Sequence, residues 1–194
     1  MLLSINPLLP EISFIIIDGY DIIEQSTITK NLDTASTFPR HVVDIMNRHK
    51  IDEVWCITGP GPFTLMRIVT LTCNAIRLTR WIKLKWCHFF DMIGWSNTPI
   101  LEANPRECII RFSWGDILIP RIELPDRIYI WILETKDFTE GKTFIQYTED
   151  AREIIKVFQH REYIQNLSPL YFKAPHITWS NKKTSLSSET VNIS

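Results

Sequence analysis

The sequence lacks an excess of charge of either sign. Its 194 residues carry 21 Lys and Arg against 22 Asp and Glu, for a net charge of -1. Because phosphate binding depends on a surplus of Lys and Arg, the chain is not expected to grip nucleic acid by itself, and any RNA contact should be indirect or local. The composition, 45% hydrophobic and 22% charged, is typical of a globular protein that can bury a core without disulfides or metals.

Paired cysteines and long apolar runs are also missing. The four cysteines, at positions 56, 73, 87 and 108, form no CxxC pair and lie in apolar stretches, which predicts reduced, buried thiols in a cytoplasmic protein. The N-terminus has neither the basic start nor the apolar core of a signal peptide. No apolar run reaches the roughly 18 residues that span a bilayer. We therefore expect a cytoplasmic protein without membrane contact.

Catalytic sequence motifs are absent as well. There is no Gly-Lys-Ser/Thr ending of a phosphate-binding loop, no GxGxxG and no Ser or Cys in a nucleophile-elbow context. The five histidines show no HxxxH spacing. Asp18 and Asp21 flank a hairpin tip and are expected to be solvated. The sequence therefore predicts no catalytic, cofactor-binding or metal-binding residues in this chain.

The first half follows the order β-β-β-α-β-α-β-α. Strands are predicted at 2–5, 12–17 and 21–29, with Asp18-Gly19 as a tight turn between the last two. After a loop at 31–37, a helix is predicted to begin at Pro39, followed by a strand at 51–58. A long helix at 65–79, a strand at 82–89 and a short helix at 90–95 complete the series. This is the order of one actin-like, ribonuclease-H-like half-domain.

The second half begins the same series again. A strand at 99–103, a hairpin through 108–112 and 117–119, and strands at 129–133 and 144–147 lead to a helix at 148–160 with Thr148 as its N-cap. We predict an α/β protein of two tandem actin-like half-domains with mixed sheets, at 1–98 and, reduced, at 99–180. The Ser-, Thr-, Asn- and Lys-rich tail at 181–194 is predicted to be disordered.

The most informative segment is a strand–turn–helix junction at 59–68, which reads Gly-Pro-Gly-Pro-Phe-Thr-Leu-Met-Arg-Ile. Gly59 and Gly61 permit backbone angles that other residues disfavour, and Thr64 is predicted to cap the helix. The helix that follows is apolar on nearly all sides. Because one sheet covers only one face, a second protein is expected to cover another.

This junction resembles the signature of the TsaB (YeaZ) family, Gly-Pro-Gly-Ser-Phe-Thr-Gly-Leu-Arg-Ile-Gly after a strand. The matching residues are Gly59, Pro60, Gly61, Phe63, Thr64, Arg67 and Ile68. Segments 100–108 and 169–173 are similar to the family's second-domain start and to its Pro-x-Tyr-Leu-Arg near the C-terminus. The resemblance covers nearly the whole chain but is weak between 113 and 166, so the chain resembles a divergent, short member of this family.

Three departures from the family pattern bear on function. The first strand ends in Asn6-Pro7-Leu8, where the family carries Asp-Thr-Ser or similar, a relic of the phosphate loop of actin-like ATPases. Pro62 stands at the motif serine. Leu65 and Val69 replace the helix glycines, which implies a different packing distance from a partner helix or compensating changes in that partner.

The resemblance implies a non-catalytic scaffold subunit. Such a subunit binds the TsaD-type threonylcarbamoyl transferase as a heterodimer, and the composite recruits the TsaE-type ATPase. The complex forms N6-threonylcarbamoyladenosine at position 37 of tRNA, with tRNA contacted only indirectly by this chain and ATP and Mg²⁺ expected, if at all, only at the complex interface. The expected partner-binding residues are Gly59, Gly61, Phe63, Thr64, Met66, Arg67 and Val69. Arg67, charged and one turn into an apolar helix, should have a specific partner within the chain or across the interface.

Two alternatives stay open. A divergent actin-like protein could homodimerise through the same helix, which the larger Leu65 and Val69 allow. An actin-like ATP-binding enzyme or peptidase-like paralogue would need an acid at the first loop, where Asn6-Pro7 stands instead. Separately, Trp81, Trp86 and Trp95 cluster after the long helix, either in the core or as part of an exposed interface. The same stretch is locally basic, which indicates either a solvated face or a patch for an acidic partner or tRNA. The basic residues of that stretch are Arg77, Arg80, Lys83 and Lys85.

Overall fold

A computed structural model describes residues 1–93, 98–104, 106–112, 115–124, 128–131, 143–147 and 149–171. Its first half contains β1 (Leu2–Asn6), β2 (Glu11–Asp18), β3 (Asp21–Thr29), α1 (Thr34–Arg48), β4 (Glu53–Ile57), α2 (Phe63–Arg80) and β5 (Lys83–Cys87). Its second half contains β6 (Thr98–Asn104), β7 (Glu107–Phe112), β8 (Gly115–Pro120), β9 (Ile128–Trp131), β10 (Thr143–Gln146) and α3 (Ala151–Gln159). Short 3-10 turns lie at Phe89–Asp91 and Arg121–Glu123.

The first sheet has the strand order β3-β2-β1-β4-β5. The strands β1 and β2 pair antiparallel, as do β2 and β3, whereas β4 pairs parallel with both β1 and β5. The parallel pairs need crossover connections, and α1 and α2 supply them. The central strands β1, β2 and β4 are almost entirely buried, while β3 alternates between exposed and partly buried residues as an edge strand does.

The second sheet repeats the strand order of the first. Its order is β8-β7-β6-β9-β10, with the hairpin pairs antiparallel and the pairs β6–β9 and β9–β10 parallel. Where the first half has α1 between its third and fourth strands, the described residues between β8 and β9 hold only the 3-10 turn Arg121–Glu123. The predicted fold class, two tandem actin-like half-domains with the second reduced, is confirmed.

The C-terminal segment returns to the first sheet. The ring of Phe158 in α3 stacks on Trp55 of β4, with centroids 5.2 Å apart, and the ammonium of Lys85 donates to the Phe158 carbonyl at 3.1 Å. One core cluster therefore joins α3 to both helices and the central strands of the first half, together with Leu101 and Ile109 of the second. The domain limits at 98 and 180 stay predictions, and the tail at 181–194 lies outside the described residues.

Three helix starts differ from those predicted, and α2 begins at Phe63 instead of position 65. The helix α1 begins at Thr34 instead of Pro39, because the Asn31 side chain accepts from the Asp33 amide at 2.9 Å and the Thr34 hydroxyl accepts from the Asn31 amide at 2.9 Å. Pro39 then lies inside the helix. The N-cap of α3 is Asp150, whose carboxylate accepts from the Arg152 and Glu153 amides. The predicted cap, Thr148, lies outside the described residues.

All four cysteines are buried and lie outside disulfide bonds. In the part of the chain that the structure describes, no helix is both long and apolar enough to pass through a bilayer.

Candidate functional site

The junction between β4 and α2 is crossed by the C-terminal segment. The Leu170 amide donates to the Thr58 carbonyl at 2.9 Å, and the Phe89 amide donates to the Gly59 carbonyl at 2.8 Å. Gly59 has a φ of +129°, and a Cβ placed there would lie 2.5 Å from the Leu170 carbonyl oxygen. Glycine is therefore required at this position by the backbone angle and by the close approach of the chain segment that contains Leu170.

The second motif glycine faces the loop after β1. A Cβ at Gly61 would lie 2.6 Å from the Leu8 side chain and 3.1 Å from the Met66 sulfur. Neighbouring Thr58 is 1% exposed, and its hydroxyl has no hydrogen-bond partner among the described residues. The junction is thus closely packed from three directions, and its residues position the start of α2.

The structure divides the predicted partner-binding residues between core and surface. Met66 and Val69 are 0% exposed in the chain's own core, and Gly59 is buried beneath Leu170, so these three shape the helix instead of presenting side chains to a partner. Gly61 and Phe63 are partly exposed, and Thr64 and Arg67 are exposed. Thr64 does not cap α2, because the helix begins at Phe63 with Pro62 at its N-cap.

Arg67 finds its partner within the chain. Its guanidinium lies 5.3 Å from the centre of the Phe63 ring, and that ring packs on Tyr171 at 4.6 Å between centroids. A cation over an aromatic face is held in place without losing its hydrogen-bond donors. Within the described ranges no carboxylate lies within ion-pair distance of Arg67, so its donors are available to an acceptor on another molecule.

The helices α1 and α2 run side by side in the same direction. A groove of about 580 Å³ separates their first turns, while at their far ends Arg80 donates to the Asn47 side chain at 3.2 Å. Lys30 lies at the groove, and burial lowers its pKa to about 8. The groove residues are Lys30, Asn31, Leu32, Thr34, Ala35, Pro62, Thr64, Leu65 and Ile68.

Large apolar side chains project from this helix pair into solvent. Leu71 and Leu78 of α2 are 63% and 65% exposed, Val43 of α1 is 42% exposed, and Leu32 before α1 is fully exposed. We call the groove together with Arg67, Leu71, Leu78 and Val43 the partner face. The sequence predicted that α2 has an apolar face for a second protein. It did not predict that Leu32 and Val43 are exposed, because no pattern separates them from buried neighbours such as Val42.

The paired strands β1 and β2 hold a carboxylate that comes from just before α3. The Asn6 side chain, fully buried, donates to Glu149 at 2.9 Å, and the Ser13 hydroxyl donates to the other carboxylate oxygen of Glu149. Burial raises the pKa of the Glu149 carboxyl, and the two hydrogen bonds oppose that rise. Both oxygens of Glu149 are thus engaged inside the chain. No group of three or more His, Cys, Asp or Glu able to hold a metal ion occurs among the described residues.

Two tandem mixed sheets with one strand order, joined through a common core, define an actin-like fold of two half-domains. No family model matches the sequence, and no curated protein matches it. YeaZ from Pseudomonas aeruginosa is similar in structure, with a TM-score of 0.54 and 12% identity over 80% of this chain and 89% of its own. An uncharacterized protein with similarity to peptidase YEAZ from Pseudomonas aeruginosa has a TM-score of 0.62 and 10% identity, over 89% of this chain and 99% of its own. The fold is therefore YeaZ-like, as the resemblance of the motif predicted.

Proposed function

We propose that this chain is a non-catalytic scaffold subunit that binds a TsaD-type threonylcarbamoyl transferase and supports formation of N6-threonylcarbamoyladenosine in tRNA. The observation that carries the proposal is the partner face, an open apolar surface on two parallel helices beside the motif loop. A TsaE-type ATPase would then join the composite.

The chemistry of the partner face suits a protein partner. Its apolar residues surround a groove, and exposed apolar patches with a polar rim are typical of protein–protein contacts. The guanidinium of Arg67 lies over the Phe63 ring and has no carboxylate within ion-pair distance among the described residues. It therefore offers one oriented cation to a carboxylate of the partner. A face of this kind combines a hydrophobic centre with one charged position that sets the register.

The loop after β1 supports a non-catalytic role. An actin-like ATPase needs carboxylates that are available to hold Mg²⁺ and orient water. Here the position is taken by Asn6, and the nearby Glu149 already accepts hydrogen bonds from Asn6 and Ser13. We therefore place any ATP and Mg²⁺ at the interface of the complex. Four free, buried thiols support a reducing compartment, the cytoplasm.

A second candidate is a homodimer through the same face. It is favoured by Leu71 and Leu78, which give α2 an exposed apolar ridge that could meet its own copy across a two-fold axis. An ATP-binding or peptidase-like enzyme is a further alternative, because one structural neighbour is described by its similarity to a peptidase.

The test is to mix the purified chain with the transferase subunit from the same genome and measure the mass by size-exclusion chromatography with light scattering. We expect an equimolar complex, with no ATP hydrolysis by this chain alone. A chain that stays a homodimer in the presence of the transferase subunit would support the second candidate and contradict the scaffold role. ATP or peptide hydrolysis by the isolated chain would contradict the non-catalytic role and support the enzyme alternative.

A further inference from the structure

A tryptophan stands open to solvent at the end of α2. Trp81 is 92% exposed and follows the helix with φ 58° and ψ 34°, the left-handed conformation that helix ends usually assign to glycine. Its amide donates to the Arg77 carbonyl at 3.0 Å and closes the helix. The largest side chain in the amino-acid set is thus held at a strained position where it gains almost no burial.

Three basic residues, Arg77, Arg80 and Lys83, are close to this tryptophan in sequence, and Arg77 and Lys83 also line the cleft beside it. Arg77 donates to the Gln165 side chain and Arg80 to the Asn47 side chain, both of them neutral acceptors. No carboxylate within the described residues forms an ion pair with Arg77, Arg80 or Lys83. Lys85 does not belong to the group, since it is 6% exposed and donates inward to Phe158. The basic stretch of the sequence is therefore divided into one buried cation and three exposed or partly exposed ones, of which Lys83 has Glu53 as its cross-strand neighbour.

A cleft next to Trp81 contains a second aromatic side chain. Its volume is about 240 Å³, and Trp81, Arg77, Lys83 and Tyr163 lie on its walls. The Lys83 ammonium lies 5.0 Å from the centre of the Tyr163 ring, and the Tyr163 hydroxyl donates to Glu53 at 2.6 Å, which fixes the ring. Sites for drug-sized ligands begin near about 300 Å³, so this cleft matches a single ring system.

We propose that Trp81, Tyr163, Arg77, Arg80 and Lys83 form a binding surface for single-stranded nucleic acid. One base stacks on the open indole face of Trp81, and the cations contact the adjacent phosphates. Aromatic planes combined with basic side chains are the usual means of binding single strands, because every base has a π-face. A cleft of about 240 Å³ with two aromatic side chains on its walls suits one planar base better than an acidic protein segment, which favours nucleic acid.

This surface fits the whole-chain charge and adjoins the partner face. The net charge of -1 allows only a local contact with phosphates, and the three cations are local. Leu78 belongs to the partner face and also lines the cleft beside Trp81, whereas the motif loop and groove lie at the opposite end of α2. RNA binding is therefore tested on the chain alone, without the transferase subunit.

The experiment is a fluorescence-anisotropy titration of the full chain against a labelled single-stranded RNA of about 12 nucleotides, with an acidic peptide of equal charge as a second probe. We expect Trp81→Ala to weaken RNA binding by about 5- to 150-fold, the effect of losing one stacked base. The slope of log affinity against log salt should be about -2 for three phosphate contacts on a single strand, and Arg77→Ala with Lys83→Ala should reduce its size by about 1.4.

Matched controls separate the surface from general effects. Tyr20→Ala removes another exposed aromatic, 70% exposed at the β2–β3 hairpin, and Lys156→Ala removes an exposed lysine of α3; both should bind RNA as the wild type does. Trp81→Gly relieves the left-handed backbone and should also lose RNA binding, and its thermal unfolding, measured beside the titration, shows that the variant is folded. The proposal is overturned if the wild type fails to bind RNA at about 50 mM salt. It is equally overturned if Trp81→Ala binds RNA as tightly as the wild type, or if only the acidic peptide binds.

Discussion

The side-chain amide of Asn6 lies 2.9 Å from a carboxylate oxygen of Glu149 and donates a hydrogen bond to it. Asn6 ends the first strand, and Glu149 directly precedes the Asp150 cap of the last helix. The pair therefore joins the returning C-terminal segment to the end of the first strand. Because both oxygens of the Glu149 carboxylate accept hydrogen bonds within the chain, this carboxylate is not available to bind Mg²⁺.

The first prediction concerns Glu149→Gln and pH. Burial raises the folded-state pKa of Glu149 above 4.5, so the protonated form is the one that the fold favours. Its stabilising contribution is complete below the unfolded pKa and is lost as pH rises through the folded pKa. Glutamine can accept from Asn6 and donate to Ser13 at any pH. Urea unfolding of both proteins should show the variant gaining free energy of unfolding relative to the wild type as the pH rises above 4.5. A wild type that gains relative to the variant would mean that the hydrogen bonds outweigh burial.

The second prediction compares two glycine substitutions. Gly59→Ala should lower the free energy of unfolding by about 3 kcal/mol or more, because the added Cβ meets Leu170 and the backbone angle is one that only glycine adopts readily. Gly19→Ala is the matched control, with a φ of +62° and no atom within 4 Å of the added Cβ. It should cost about 1–2 kcal/mol from the backbone angle alone. Equal losses in urea unfolding would contradict the close crossing of Leu170 over the motif loop.

The third prediction is a stabilising change at Thr58. A buried hydroxyl without a hydrogen bond costs about 1–3 kcal/mol, so Thr58→Val should raise the free energy of unfolding by about 1 kcal/mol. Thr70→Val is the control, since the buried Thr70 hydroxyl donates to the Met66 carbonyl at 2.9 Å and its loss should bring no gain. A Thr58→Val protein less stable than the wild type in urea would show that the hydroxyl is satisfied.

The fourth prediction concerns the backbone of Trp81. Glycine adopts the left-handed conformation without a Cβ clash, so Trp81→Gly should raise the free energy of unfolding by up to about 1 kcal/mol after the entropy of glycine is counted. Trp81→Ala keeps a Cβ at the same angle and should show no such gain. Thermal unfolding of the wild type, Trp81→Gly and Trp81→Ala measures this difference. A glycine variant less stable than the wild type would mean that the exposed indole contributes packing.

Local signals in the sequence were sufficient to predict the order of the strands along the chain. The Asp18-Gly19 turn, the punctuation by proline and the short apolar runs predicted both halves, and the repeated strand order confirms that the second half copies the first. The start of α1 was missed because the rule that places Pro39 at the first helical turn competes with the Asn31–Thr34 hydrogen bonds.

Long-range contacts could not be predicted in the same way. Glu149 reaches Asn6 across 143 positions of sequence, and no local pattern marks that pairing. The glycines of the motif were expected to form a tight turn, but the crossing chain at Leu170 is what excludes a side chain at Gly59. In α2, Val69 and Leu71 are similarly apolar, and only the position of the sheet decides that one is buried and the other exposed.

The central claim is that the partner face binds the transferase subunit. Calorimetric titration of that subunit with the wild type, Arg67→Glu, Leu71→Glu and the control Lys156→Glu tests it most directly. Lys156 is an exposed residue of α3, outside the face. Buried hot-spot changes cost 2 kcal/mol or more, so we expect Arg67→Glu and Leu71→Glu each to weaken binding by about 30-fold or more, with the control unchanged. Equal affinity for all four proteins, or no binding by the wild type, would contradict the account.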